Sequence, residues 1–195
     1  LSVLENETLQ PAVILGLYYG LRKSEVLGLR WKDIDFKAGT LIVRNTVTRM
    51  KTRIEHEQTK SLASKRTIFL IPSTIPYLQK LYQEQLERRE LLGDAYIDTD
   101  HICVWPDGRP LSPDYVSQHF KLILQKNNLP HIRFHDLRHT AGSLLLSNGL
   151  NIKQVQEFLG HEKSTTTLDI YMHIDCQAKQ ETAFAMEEAL PLTIK

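Results

Sequence analysis

The chain has 195 residues, 42% hydrophobic and 24% charged, with a formal net charge of +1, which describes one globular domain and excludes a disordered, collagen-like or coiled-coil chain. Its longest apolar run, Ala12 to Leu21, is about half the length a membrane span needs, and no basic signal-peptide start precedes it. Cys103 and Cys176 form neither a CxxC nor a disulfide-rich pattern, so a reducing, cytoplasmic setting with no membrane is expected, and the first residue, Leu1 rather than Met, suggests a fragment.

Residues 11–19 read as a buried helix with proline in its first turn and Gly20 at its close; Gly16 and Gly20 form a GxxxG that implies close helix packing. Ser24 opens a second amphipathic helix over 25–31. Residues 40–50 alternate, with Leu41, Val43 and Val47 against Arg44, Thr46 and Thr48, which predicts a strand; 66–71 predict another. The polar, basic stretch 51–65 between them is a long hairpin tip or a partner strand. Helices are predicted over 73–92, capped by Ser73, and over 112–126, opened by Ser112 and ended by Asn127 to Pro130. Further helices are predicted over 136–147, 151–159 (ended by Gly160), 164–172 and 177–189. The expectation is an α+β fold, a mostly helical single domain with a small antiparallel sheet.

The small net charge conceals an uneven distribution. Residues 21–66 hold twelve Lys/Arg against five Asp/Glu, whereas 67–130 and 131–195 each hold six against eight. A local basic field of this size suits a polyanion, although a solvated surface explains it as well. Four segments carry chemistry: Gly20-Leu21-Arg22-Lys23-Ser24-Glu25, Thr59-Lys60 through Arg66-Thr67-Ile68, His135-Asp136-Leu137-Arg138-His139, and Leu159-Gly160-His161 followed by Tyr171. Each has a plainer reading. Arg22 could simply pair with Glu25, Tyr171 could be a half-buried aromatic, and Leu159-Gly160-His161 could be a helix stop. His135 and His139 have the spacing of a zinc pair, but a zincin needs Glu after the first His and this chain has Asp136; a third ligand would have to come from His161 or His173.

Taken together and in order, these segments resemble the tyrosine recombinase (phage integrase) family over nearly the whole chain. The family's G-L-R-x-S-E stands here as Arg22 with Glu25, its hairpin lysine as Lys60 ahead of Ser64, Arg66, Thr67 and Ile68, and its H-x-L-R as His135 and Arg138. Its L-G-H stands as His161 and its T-T-L-D-x-Y as Thr166 to Tyr171. Thr59-Lys60-Ser61 departs from the usual proline-lysine-threonine, and Lys65 is the neighbouring alternative. The resemblance implies the tyrosine recombinase catalytic-domain fold over 1–195, with the family's N-terminal core-binding domain not in this chain.

It also implies a function: site-specific cleavage and rejoining of duplex DNA through a 3′-phosphotyrosine, without metal or other cofactor. Tyr171 would be the nucleophile and His135 its proton acceptor. Arg22, Arg138 and His161 would stabilise the phosphate oxygens, Lys60 would be the leaving-group acid, and Glu25 would orient the cationic groups. Arg49, Lys51, Arg53 and Lys65 are expected DNA contacts. A homotetramer on two DNA sites is implied, with accessory DNA-bending or excision factors and a tail over 177–190 for which docking on a neighbouring subunit is favoured over packing in cis. Type IB topoisomerase-like relaxation and a non-catalytic DNA-binding regulator are the alternatives.

Overall fold

The computed structural model describes residues 1–50, 52–56 and 66–160; the expected Lys51, Lys60, Lys65, His161, Tyr171, the helix over 164–172 and the tail lie outside them. Pro11 stands in the first turn of α1 (Gln10–Tyr18), where its missing N–H would have had no partner anyway. Ala12, Val13 and Leu15 are buried, as is Tyr19 just beyond, so the helix is apolar on most sides and runs through the core. The close packing expected at Gly16 and Gly20 is present. A Cβ on Gly16 would stand 3.1 Å from the Phe134 ring, and one on Gly20 would overlap Leu159.

α2 spans Lys23–Gly28, two residues earlier than the predicted 25–31, and Arg22 rather than Ser24 holds its N-cap position. The shift has a local cause: the Glu25 carboxylate accepts the Arg22 backbone N–H at 2.9 Å and so closes the first turn. Trp31 falls in a separate 3₁₀ turn, Trp31–Asp33, because Leu29 is extended and accepts a hydrogen bond from the Ile102 N–H at 3.1 Å.

The strand predicted over 40–50 is two strands in two sheets. β1 (Ile34–Asp35), β2 (Thr40–Val43) and β5 (Arg66–Phe69) form an antiparallel sheet in the order β1-β2-β5, while β3 (Thr46–Met50) and β4 (Thr52–His56) form a separate hairpin. Leu41 and Val43 point inward from β2, as the alternation predicted, and pair with Ile68 and Arg66. The break falls at Arg44-Asn45. Arg44 Nε turns to the buried Asp33 carboxylate at 2.6 Å, and the Asn45 backbone packs on Gly28.

A Cβ on Gly28 would stand 2.6 Å from Asn45 O. Alanine usually gains roughly 0.5–1 kcal/mol over glycine in a helix. Here Gly28→Ala is expected to lower stability instead, by about 1–3 kcal/mol, because overpacking wins. Urea unfolding reads the sign; a raised midpoint would mean that the start of β3 yields freely.

α3 (Ile75–Leu92) begins after a 3₁₀ turn, Pro72–Thr74, so Ser73 is not its cap. The Thr74 hydroxyl donates to Ile71 O at 2.8 Å and meets the Tyr19 hydroxyl, tying the end of α1 to this entry. α4 (Pro113–Lys126) is capped by Ser112, whose Oγ accepts the Tyr115 N–H, and buries Val116, Phe120, Ile123 and Leu124. α5 (Asp136–Ser147) packs on α1, and α6 (Ile152–Leu159) packs on α5. Asn151 and Gln154 close a capping box at the start of α6, and Gly160 ends it in the left-handed conformation. The fold is mostly helical with a small antiparallel sheet, and among the described residues no helix is long and apolar enough to cross a membrane.

Candidate active site

Spacing of three residues puts Arg22 and Glu25 on the same side of the first turn of α2. Arg22 Nη1 donates to Glu25 Oε1 at 2.8 Å, and the Glu25 side chain is 1% exposed. Two more guanidinium groups converge on that carboxylate. From β5, Arg66 Nη1 and Nη2 donate to Oε1 and Oε2, each at 3.3 Å, fork against fork. From α5, Arg138 Nη1 lies 3.9 Å from Oε2 and donates to Gly20 O at 2.6 Å.

The far sides of Arg22 and Arg66 reach the C-terminal end of α6. Arg22 Nη2 donates to Gly160 O at 3.2 Å and Arg66 Nε to Phe158 O at 3.1 Å, carbonyls that carry the negative end of the helix dipole. Gly160 has φ +68°, and a Cβ there would stand 2.7 Å from Arg66 Nη1. Glycine therefore serves both the left-handed cap and the passage of the guanidinium.

Burial works to raise the Glu25 pKa, but the charges and hydrogen bonds of Arg66 and Arg22 outweigh it and hold the carboxyl below its ordinary range. Arg138 is 2% exposed, and burial together with the Arg22 charge pushes it down to about 9, against the pull of Glu25. One carboxylate thus faces three guanidinium groups, and the cluster is a cation in need of an anion. Arg22, its side chain 34% exposed, is the part of the cluster open to solvent.

Arg22 and His135 line a cleft of about 660 Å³, whose walls also carry Lys23, Asp114, Ser117, Lys121 and Arg133. His135 stands at the N-cap position of α5, its ring 5.0 Å from that of His139. Partial burial, then the neighbouring His139 and Arg138, hold its pKa below the ordinary 6.5. Lys23 Nζ donates to Ser117 Oγ at 2.5 Å, and burial lowers its pKa despite Asp114. Arg133 is turned to Asp136, with Nη2 2.8 Å from Oδ1.

The fold therefore brings Arg22, Glu25, Arg138 and His135 to one place from α2, α5 and the loops ahead of them. No third His, Cys, Asp or Glu joins His135 and His139 as a metal group among the described residues. Of Arg49 and Arg53 the backbone is described: they are register partners across β3 and β4 and so share a face of the hairpin. Lys60, Lys65 and Lys51 belong to stretches outside the described residues, as do Tyr171 and His161, the residue after Gly160 in sequence. Sequence reasoning missed the central place of Arg66, although it stands in the strand motif that was singled out. It also missed Lys121 and Arg133, which charge counting assigned to stretches with an acidic excess.

Residues 5–178 match the phage integrase family. A tyrosine recombinase XerC-like protein of Caldanaerobacter subterraneus subsp. tengcongensis is 28% identical over 89% of this chain and 47% of its own length. Tyrosine recombinase XerC of Lactobacillus leichmannii is 30% identical over 87% of this chain and 52% of its own. Among solved structures, the Tn1549 transposon integrase in complex with transposon right end DNA superposes with a TM-score of 0.75 at 23% identity, covering 96% of this chain and 64% of that one. The chain spans about half the length of the curated relatives it matches. With the match running through nearly all of its residues, the chain belongs to the phage integrase family.

Proposed function

We propose that this chain is the catalytic domain of a site-specific DNA recombinase that cleaves and rejoins duplex DNA through a 3′-phosphotyrosine at Tyr171. The observation that carries the reading is the excess of guanidinium over carboxylate around Glu25, opening beside His135 into a cleft edged with Lys23, Lys121 and Arg133. A scissile phosphate supplies the missing negative charge, and more of it develops on the non-bridging oxygens as the phosphorus is attacked. Arg22 and Arg138 supply planar forks to those oxygens, with His161 as a further donor; Glu25 keeps Arg22 in place.

The Tyr171 oxygen bonds to phosphorus as the bond to the 5′-oxygen breaks. The phenolic proton passes to His135, and Lys60, with Lys65 as the neighbouring alternative, gives a proton to the departing 5′-oxygen. Arg22 and Arg138 are engaged with the non-bridging oxygens, which leaves the acid role to lysine. Arg49 and Arg53, register partners across β3 and β4, are read together with Lys51 and Lys65 as contacts to the DNA backbone. The same reading includes work in the cytoplasm as a homotetramer on two DNA sites, with accessory DNA-bending or excision factors, and a 177–190 tail docked on a neighbouring subunit.

The decisive test is incubation with nicked suicide half-sites, which trap the intermediate. A covalent protein–DNA adduct is expected, and its absence on sites the protein binds would sink the reading.

The pH dependence has a definite sign. A base must be neutral, and His135 is neutral above its pKa, which is held below 6.5. Adduct formation should therefore stay level from pH 8 to below 6.5 before it falls, by roughly tenfold per pH unit. Single-turnover rates check this; a fall that begins above 6.5 would exclude His135 as the acceptor.

A further inference from the structure

Arg66 has no part in the proposed chemistry, yet Nε and both Nη atoms of its guanidinium are engaged. Its side chain is 9% exposed, and both Nη atoms grip Glu25 while Nε holds Phe158 O. It thereby joins three elements: β5, which continues from the stretch that contains Lys60; α2, which carries Glu25; and the end of α6, which leads into His161. Lysine at 66 could satisfy Glu25 or Phe158 O but not both, because only guanidinium has donors fixed in a plane. The room for it is built in, since the glycine at 160 is what lets Nη1 pass.

We infer that Arg66 is a positioning residue for DNA cleavage, clamping Glu25 so that the Glu25 carboxylate holds Arg22 toward the scissile phosphate. This rests on the recombinase reading. The causal order follows from the contacts. Glu25 binds Arg22 through both the backbone N–H and Nη1, so whatever displaces or neutralises Glu25 leaves the Arg22 side chain with its single bond to Gly160 O. Among the described residues the charged groups that face Glu25 are Arg22 from the turn before α2, Arg66 from β5 and Arg138 from α5. Arg22 is partly open to solvent, and Arg138 spends its short contact on Gly20 O, so Arg66 is the partner that chiefly offsets the burial of the carboxylate. Without it, burial should carry the Glu25 pKa upward, and a protonated Glu25 offers Arg22 no anion.

The experiment measures single-turnover adduct formation on suicide half-sites from pH 5.5 to 9 at saturating DNA, alongside DNA affinity, for the protein and for Arg66→Ala and Arg66→Lys. At pH 7, Arg66→Ala is expected to slow cleavage by roughly tenfold to a hundredfold, the size of effect that outer-shell partners have at metal sites, with affinity little changed. Its acid limb should lie at higher pH than that of the parent, so that the deficit shrinks as pH rises and Glu25 ionises. Arg66→Lys restores a charge beside Glu25 and should bring the limb back most of the way, with a lower plateau because the bond to Phe158 O is lost. Should Arg66→Ala not fold, Arg66→Gln carries the same test. A loss that is the same at every pH would overturn the inference and make Arg66 a structural residue. A loss of affinity in step with rate would overturn it too, recasting Arg66 as a phosphate contact. Normal adduct with Arg66→Ala overturns the inference alone, whereas no adduct with the unaltered protein overturns the recombinase reading itself.

Discussion

Tyr171→Phe is expected to abolish covalent protein–DNA adduct while the protein still binds its DNA. The phenol is the only part of the side chain that can store the phosphodiester bond, and phenylalanine keeps the ring and its packing. A phenol of ordinary pKa near 10 is roughly one part in a thousand ionised at neutral pH, so the reaction depends on a cationic, base-bearing setting around it. The chain has seven tyrosines, and the six described ones lie elsewhere. Tyr19 is buried against Thr74, and burial pushes Tyr77 well above its ordinary value. Tyr82 packs on Trp31, Tyr115 is stacked between Trp105 and His119, and burial raises the Tyr96 and Tyr115 hydroxyls as well. None of the six lines the cleft beside Arg22 and His135. Adduct formation at the parent rate by Tyr171→Phe, read on denaturing gels with labelled half-sites, would move the nucleophile to another residue.

What the sequence made legible were features whose causes are local. Ser112 and Gly160 act within a turn of themselves, and the elements they bound, α4 and α6, have the predicted limits to within one residue. The inward alternation of Leu41 and Val43 is likewise a property of neighbours in the chain. The break at Arg44-Asn45 is of another kind, because it depends on Asp33 and Gly28, which reach that point only in the folded chain. The place of Arg66 is of that kind too, for its two partners, Glu25 and Phe158, lie 41 and 92 positions away in sequence, and the Gly160 that clears its path lies 94 away. No spacing rule finds such a residue. Charge counting failed at Lys121 and Arg133 for a related reason: a window average sums residues along the chain, whereas the fold brings these two beside Lys23 from separate stretches, with Asp114 the one acidic residue on the same walls.

Arg138→Met should separate stability from activity more sharply than any other change at this site. Met removes the charge and keeps much of the volume. Cleavage should fall by roughly 10²–10³, the cost of deleting one donor to a developing oxyanion, and binding should fall far less. Stability should barely move. The Gly20 carbonyl loses its 2.6 Å donor, at a cost of about 1–3 kcal/mol. Against that, a guanidinium whose desolvation costs several kcal/mol no longer has to be buried beside two like charges. Glu25 is left with Arg22 and Arg66, so no carboxylate is stranded. Glu25→Gln is the opposite case. It leaves three guanidinium groups facing one another with no anion among them, and is expected to cost about 3–5 kcal/mol. In urea unfolding at neutral pH, Glu25→Gln should therefore shift the midpoint far below that of Arg138→Met, although both are expected to be poor catalysts. Adding sulfate should recover part of the Glu25→Gln loss, because a free anion can take the empty place among the arginines. If Arg138→Met proves the less stable of the two, the buried guanidinium is a support for the Gly20 turn first, and the cluster is not held together against its own charge.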